Sequence, residues 1–260
     1  MWCVHNTWPT ANVCEPEATL SSSWTRIHPQ WHRRLWTDFD NRALVKDAFP
    51  QLRGVYNSYP YPIQRADVIR YCLLHRYGGI YADMDYEVFT PVTELMNTDR
   101  VALVARSDCV ATNFLMASPP NDPFWQHVIS ALPRAHEVTL YDKVKMLRAV
   151  FETTGPTFLS RCVDSYPNRA SITILPVSRY DPYDRHDYCI APSIVRRALL
   201  ALRQGQSIID EKIPTELIER LRVCRGVHWR TSRWLSGSTA AAQTDGDLVS
   251  PSCAPKPTPT

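Results

Sequence analysis

Asp83, Asp85 and Glu87 occupy alternate positions in the stretch YGGIYADMDYE, Tyr77 to Glu87. Gly78 and Gly79 close a helical pattern, and Ile80-Tyr81-Ala82 then reads as a short strand that delivers the first two acids to its carboxyl end, the edge at which α/β sheets bind their ligands. On an extended backbone, residues two apart face the same way, so Asp83 and Asp85 are expected to share one site. Neighbouring carboxylates repel unless a cation lies against both. Their hard oxygens suit Mn2+ or Mg2+, whose remaining positions phosphate oxygens can fill. The pair is thus a candidate holder for a metal-bound diphosphate, while a bare Asp-x-Asp also serves as a solvated turn.

A second polar pair precedes it. Asp67 and Arg70 are three residues apart on the segment IQRADVIRYCLLHRY, Ile63 to Tyr77, and so share a helix face, beside Gln64 and away from the apolar stripe. They are either a surface ion pair of little energetic value or groups that reach the same strand end as Asp83.

The elements that must position these residues alternate between helix and strand. Ile63, Ala66, Ile69, Leu73 and Tyr77 form one stripe of a helix that Gly78 terminates. Asp40–Phe49 reads as an earlier helix with an Asp cap. Strands are expected at Ile80–Ala82, Val101–Ala105, Asn113–Ala117 and Ser171–Leu175. Helices are expected at Pro123–Leu132, Leu140–Phe151, Pro156–Val163, Val195–Arg203 and Thr215–Arg222. This order predicts an α/β layer structure with a mainly parallel sheet flanked by helices.

Composition bounds the rest. A chain of 260 residues, 44% hydrophobic, can bury the core of one large domain. The net charge of +3 arises from 29 basic and 26 acidic side chains mixed along the chain, which offers no nucleic-acid arm. The eight cysteines include no CxxC pair, and Cys72 and Cys162 lie in apolar stretches, as in a reduced protein, with some disulfides in a lumen as the alternative. No Asn-x-Ser/Thr site, signal peptide or membrane-spanning run is found in the sequence. A cytoplasmic location is the resulting expectation, with peripheral membrane contact left open. From Ser236 the chain is rich in Ser, Thr, Ala and Pro, so a folded domain over 1–235 and a disordered tail over 236–260 are expected. A metal-dependent hydrolase or nuclease would want further carboxylates at matching strand ends, and the sequence supplies none.

The segment PIQRADVIRYCLLHRYGGIYADMDYEVFTPV, Pro62 to Val92, resembles the core signature of the DXD-containing retaining glycosyltransferases of family 32. The likeness extends in order through VHNTWPT at Val4, LWTDFDNRALVKDAFP, TNFLMASPPNDPFW, TTGPTFLS and VHWRTSRW. It implies a GT-A fold that binds a nucleotide-sugar donor through a divalent metal, Mn2+ or Mg2+. Carried over by position, Asp85 and His228 become metal ligands and Asp83 a contact to the ribose or donor sugar that also reaches the metal. Asp67, Arg70 and Asn113 fall at the donor sugar, Trp8 stacks on the base, and Ser232 and Trp234 stand at the diphosphate. On the residues alone, Trp8 also reads as a core tryptophan after the first strand and His228 as a structural histidine.

Within the family the motifs look most similar to the inositol phosphorylceramide mannosyltransferases. That likeness implies transfer of mannose from GDP-mannose, with retention, to a glycan or glycolipid hydroxyl; UDP-galactose, UDP-glucose and UDP-N-acetylglucosamine are the alternative donors. Those enzymes carry membrane segments that this sequence lacks, so the expectation is a soluble enzyme of bacterial or large-virus type, with a Golgi lumen only for a truncated chain. A non-catalytic nucleotide-sugar-binding protein is the other alternative; it would be expected to have lost Asp83, Asp85 or His228, and all three are present.

Overall fold

Eight strands and nine helices are found in the computed structural model among the residues it describes, which are 3–95, 99–106, 110–140, 146–183, 187, 189–206, 208 and 212–231. The strands are β1 (Cys3–Thr7), β2 (His32–Trp36), β3 (Gly79–Ala82), β4 (Tyr86–Val88), β5 (Ala102–Ala105), β6 (Ala111–Ser118), β7 (Thr173–Pro176) and β8 (Gly226–His228). Six of them form one sheet in the order β2-β1-β3-β6-β5-β7, and β4 pairs with β8 in a second. Within the six-stranded sheet β1 lies parallel to β2 and β3, β5 is parallel to β7, and β6 runs antiparallel to β3 and β5; β4 and β8 are antiparallel. The expected α/β class with a mainly parallel sheet is therefore the class found.

The helices are α1 (Glu17–Ile27), α2 (Asp38–Ala48), α3 (Arg53–Ser58), α4 (Pro62–Tyr77), α5 (Pro123–Leu140), α6 (Met146–Thr153), α7 (Pro156–Ser165), α8 (Pro192–Arg203) and α9 (Thr215–Val223). Both faces of the sheet are covered. Tyr81 of β3 and Leu103 of β5 pack into one apolar cluster with residues of α2 to α5 and α7, while Ile80, Ala82, Ala102 and Val104 face a second cluster with Trp24 of α1. Burial on both faces is why these strands read as unbroken apolar runs. No helix among the described residues is long and apolar enough to cross a membrane.

Several expectations need correction. Asp40 is not the cap of α2: Thr37 is, and Asp40 supplies the reciprocal half of a capping box. α1 was not among the expected elements; Ser21, Ser22 and Ser23 lie inside it, each hydroxyl bonding the carbonyl three residues back, the local alternative that makes serine a poor helix signal. α5 runs past the expected stop at Leu132 and carries Pro133 within it. The helix expected at Leu140–Phe151 is found at Met146–Thr153, its early residues lying outside the described ones. The tail expected over 236–260 also lies outside them.

α4 is buried almost all round from Asp67 to Leu74. The reading of Asp67 and Arg70 as a surface ion pair therefore fails: they are 3% and 2% exposed. Gly78 ends α4 with φ +63, and Gly79 follows at φ +84, both in the region open to glycine. The start of β3 is then fixed by His5 of β1. The Trp36 indole N–H donates to His5 Nδ1 at 3.1 Å, so the imidazole carries its proton on Nε2 and donates it to the Gly78 carbonyl at 3.0 Å. The end of β3 is fixed by Asn6, whose amide donates to the Ala82 carbonyl at 2.8 Å while its oxygen accepts from Arg33.

Candidate active site

Asp83 and Asp85 do not lie on an extended strand. Tyr86 N–H donates to the Asp83 carbonyl at 3.1 Å, so Asp83 to Tyr86 form a turn between β3 and β4. The two carboxylates still converge, because of where β8 brings His228. Nε2 of His228 stands 3.1 Å from an Asp85 oxygen and 3.7 Å from an Asp83 oxygen. Glu87, the third acid of the alternating set, belongs to β4 and is turned elsewhere: it is 1% exposed, held by two bonds from Arg196 and one from the Trp229 indole. It anchors β4 and β8 to α8 as a salt-bridged residue and stands apart from the other two acids.

Each carboxylate has its own support. Asp83 takes a hydrogen bond from the Tyr81 hydroxyl at 3.0 Å and an ion pair from Arg70 at 3.1 Å on Oδ1, leaving Oδ2 toward His228. Tyr81 hydroxyl also lies 3.2 Å from that of Thr7, which ties the end of β1 to the site. Asp85 Oδ2 accepts from Thr231 N–H at 2.9 Å and from its hydroxyl at 3.3 Å, leaving Oδ1 toward His228. Thr231 reaches back because Arg230 adopts φ +51, with its guanidinium held by Asp181 and the His228 carbonyl.

Behind Asp83 lies a buried polar relay. Arg70 donates to Asp67 at 2.9 Å and to the Asn113 carbonyl at 2.6 Å, and its guanidinium lies 4.7 Å from the Tyr81 ring centre. Asp67 further accepts from the Asn113 amide at 3.0 Å and from the Thr154 hydroxyl at 2.9 Å. Satisfied in this way, buried charges fix geometry: Arg70, Asp67 and Asn113 brace Asp83 from the helix and β6 sides. Trp8 follows β1, half-buried, with its N–H on the Trp36 carbonyl at 3.0 Å. Ser232 and Trp234 lie outside the described residues.

The environments push the ionisable groups apart. Burial raises Asp83 despite the Arg70 charge beside it, and burial also lifts Asp67, to about 6. Burial opposes ionisation of Asp85 as well, yet His228 and the Thr231 N–H hold its carboxyl down at about 2. Burial disfavours charge on His228, and Asp85 and Asp83 overcome it and raise its pKa. Opposed shifts of this kind mark sites built for charge.

Asp83, Asp85 and His228 are the one group of acids, histidines and cysteines with metal-ligand spacing among the described residues, one ligand atom of each lying within 4.8 Å of the others. The donor set fits a divalent cation: two hard oxygens and an imidazole suit Mn2+. An octahedral ion with bonds of about 2.1 Å holds adjacent ligands about 3 Å apart, close to the 3.1 Å between His228 Nε2 and Asp85 Oδ1. Motif reading missed Thr231 and Phe114. Phe114 follows Asn113 on β6, accepts the Asp83 N–H on its carbonyl at 2.9 Å and stacks its ring on His228; only its place beside Asn113 hinted at it.

Residues 15–102 match the family model described as the glycosyltransferase sugar-binding region containing the DXD motif. Over 158 residues the chain is 34% identical to inositol phosphoceramide mannosyltransferase 3 of Schizosaccharomyces pombe, covering 60% of this chain and 43% of the relative. It is 29% identical over 184 residues to a mannosyl phosphorylinositol ceramide synthase of Saccharomyces cerevisiae, covering 68% of this chain and 46% of the relative. The chain thus spans less than half the length of either. Among solved structures, the PaToxG glycosyltransferase superposes with a TM-score of 0.48 at 16% identity, covering 85% of this chain and 86% of that one.

Proposed function

We propose that the chain, whose residues 15–102 match the glycosyltransferase sugar-binding region containing the DXD motif, is a metal-dependent, retaining glycosyltransferase of GT-A type. The observation that carries the proposal is the convergence of Asp83, Asp85 and His228 at the carboxyl edge of β3. The proposed donor is GDP-mannose, supported by the names of the mannosyltransferases to which the chain is similar. The proposed acceptor is a hydroxyl of a glycan or a glycolipid head group.

Cleavage of the bond between sugar and diphosphate builds negative charge on the leaving oxygen, and that charge must be met where it forms. A divalent cation held by Asp83, Asp85 and His228 would act there as a Lewis acid. The chain's own residues keep the three ligands in place. Thr231 holds one oxygen of Asp85 so that the other stays turned to His228. Arg70 and Tyr81 do the same for Asp83. Asp67 and Asn113 complete the brace, and in the donor complex the sugar hydroxyls would lie against this Asp67, Arg70, Asn113 group. Trp8, which follows the neighbouring β1, would receive the base. With Glu87 committed to Arg196 and Trp229, no further free carboxylate stands with Asp83 and Asp85 among the described residues to act as a nucleophile across the sugar. Attack by the acceptor on the face from which the phosphate departs is the corresponding mechanism, and an inverted product anomer by NMR would rule it out.

The test is a thermal-shift series with GDP-mannose, UDP-galactose, UDP-glucose and UDP-N-acetylglucosamine, with and without Mn2+, on wild type and Asp85→Ala. A ligand bound by the native state raises the midpoint. GDP-mannose is expected to do so only with Mn2+ and only on wild type; stabilisation by a UDP-sugar instead would reassign the donor, and metal-independent stabilisation of both proteins would remove the metal from the reading.

A further inference from the structure

We infer that Phe114 is a positioning residue for the metal centre, setting the plane of the His228 imidazole through its ring and the place of Asp83 through its carbonyl. The inference rests on the metal reading of Asp83, Asp85 and His228. Phe114 is 5% exposed on β6. Its ring lies 4.7 Å from that of His228, centre to centre, at 12° between planes, an offset-stacked pair. Its carbonyl accepts the Asp83 N–H at 2.9 Å.

The ring is itself backed by others. Tyr86 stacks on Phe114 at 5.6 Å and 27°, and Trp24 lies 6.0 Å from Tyr86. The column Trp24, Tyr86, Phe114, His228 runs from α1 across β4 and β6 to β8. At its end the imidazole receives a face contact from Phe114 and an edge contact from Asp85. An imidazole ring can otherwise turn about its bond to Cβ, and a face contact removes that freedom while leaving Nε2 at the edge open to a ligand.

Ordinarily a hydrogen bond to the second ring nitrogen orients a metal-binding histidine, and loss of such an outer contact weakens metal binding by about 10- to 100-fold. Here no hydrogen bond to the other ring nitrogen of His228 is found among the described residues, and the stacked ring takes that place.

The experiment titrates Mn2+ into metal-free protein without donor, reading free Mn2+ by electron paramagnetic resonance, for wild type, F114L, F114Y and H228A, each well below its own unfolding midpoint. F114L is expected to bind roughly tenfold more weakly, F114Y to bind as wild type does, and H228A to bind more weakly than F114L. Wild-type affinity in F114L, or equal losses in F114L and F114Y, overturns the role of the ring while leaving the metal centre standing. Wild-type affinity in H228A overturns the metal reading and this inference together. If F114L does not fold, NMR of the wild type decides: the His228 ring protons must show cross-relaxation with the Phe114 ring and an upfield ring-current shift, and their absence overturns the inference.

Discussion

Thr231 donates twice to the same oxygen of Asp85, from its N–H at 2.9 Å and from its hydroxyl at 3.3 Å, so the chain beyond β8 closes over the turn that carries the paired acids. This contact decides which Asp85 oxygen faces His228. Replacing Thr231 by valine keeps the N–H and the shape and removes the hydroxyl. One hydrogen bond to a carboxylate is lost, worth about 1 kcal/mol of metal-free stability at this length, and Mn2+ affinity is expected to fall, by up to roughly fivefold, as Asp85 is held less firmly. Titration calorimetry reads both proteins, and equal affinities would show that the N–H alone orients Asp85.

Metal binding is expected to rise with pH. Asp85 and Asp83 outweigh burial and raise His228 above its ordinary value, so below that raised pKa the metal-free protein holds there a proton that a cation must displace. Below that raised pKa each unit of pH is expected to change the affinity by about tenfold, one proton being released. Asp85, held at about 2, adds nothing to this slope near neutrality. Mn2+ titrations between pH 6 and pH 8 read the dependence, and a flat profile in wild type would remove His228 from the ligand set.

His5 predicts an acid-sensitive fold. Both of its ring nitrogens are bonded in the neutral form, and burial lowers its pKa to about 4. The folded value lies below the unfolded one of about 6.5, so the unfolded chain binds the proton more readily. The stability His5 contributes is complete above pH 6.5 and is lost as pH falls toward 4, a total of about 3 kcal/mol from a shift of this size. His5→Gln cannot titrate, so denaturant melts should show the gap between wild type and variant narrowing from pH 8 to pH 5. A constant gap would mean that His5 does not titrate in this way.

Much of the site was legible in the sequence, and the part that was not has a common physical cause. α4 declared itself by its stripe and its terminal glycines, and Asp83 and Asp85 by chemistry. Their convergence was expected from an extended backbone and arises instead from a turn, because Tyr86 N–H returns to the Asp83 carbonyl. His228 entered only through resemblance, since no local pattern reports a pairing of β4 with β8. Asp67 and Arg70 sit off the apolar stripe and still lie in the interior, since their charges are matched there by each other, by Asp83 and by Thr154. Thr231 and Phe114 carry no motif: their roles come from contacts across strands far apart in sequence, a carbonyl, a ring face and a hydroxyl that many residue types could have supplied.

Gly79 and Gly54 make opposite predictions from the same substitution. Gly79 opens β3 at φ +84, where a side chain is strained, and a Cβ there would stand 2.5 Å from the Cys3 carbonyl oxygen of β1. That oxygen is backbone of the neighbouring strand and cannot move without shifting the β1 and β3 edge on which Trp8 and Asp83 stand. Strain of this kind costs about 1–3 kcal/mol before the clash is counted, so Gly79→Ala is expected to lower stability by more than about 2 kcal/mol and to weaken Mn2+ binding with it. Gly54 lies in α3 with nothing within 4 Å of its added Cβ. Alanine there relieves the chain entropy that glycine loses in a helix, a gain of about 0.5–1 kcal/mol, with no change at the metal. Denaturant melts with a Mn2+ titration on each variant separate the two, and a Gly79→Ala protein as stable as wild type would mean that β1 and β3 meet with more room than the Gly79 contact allows.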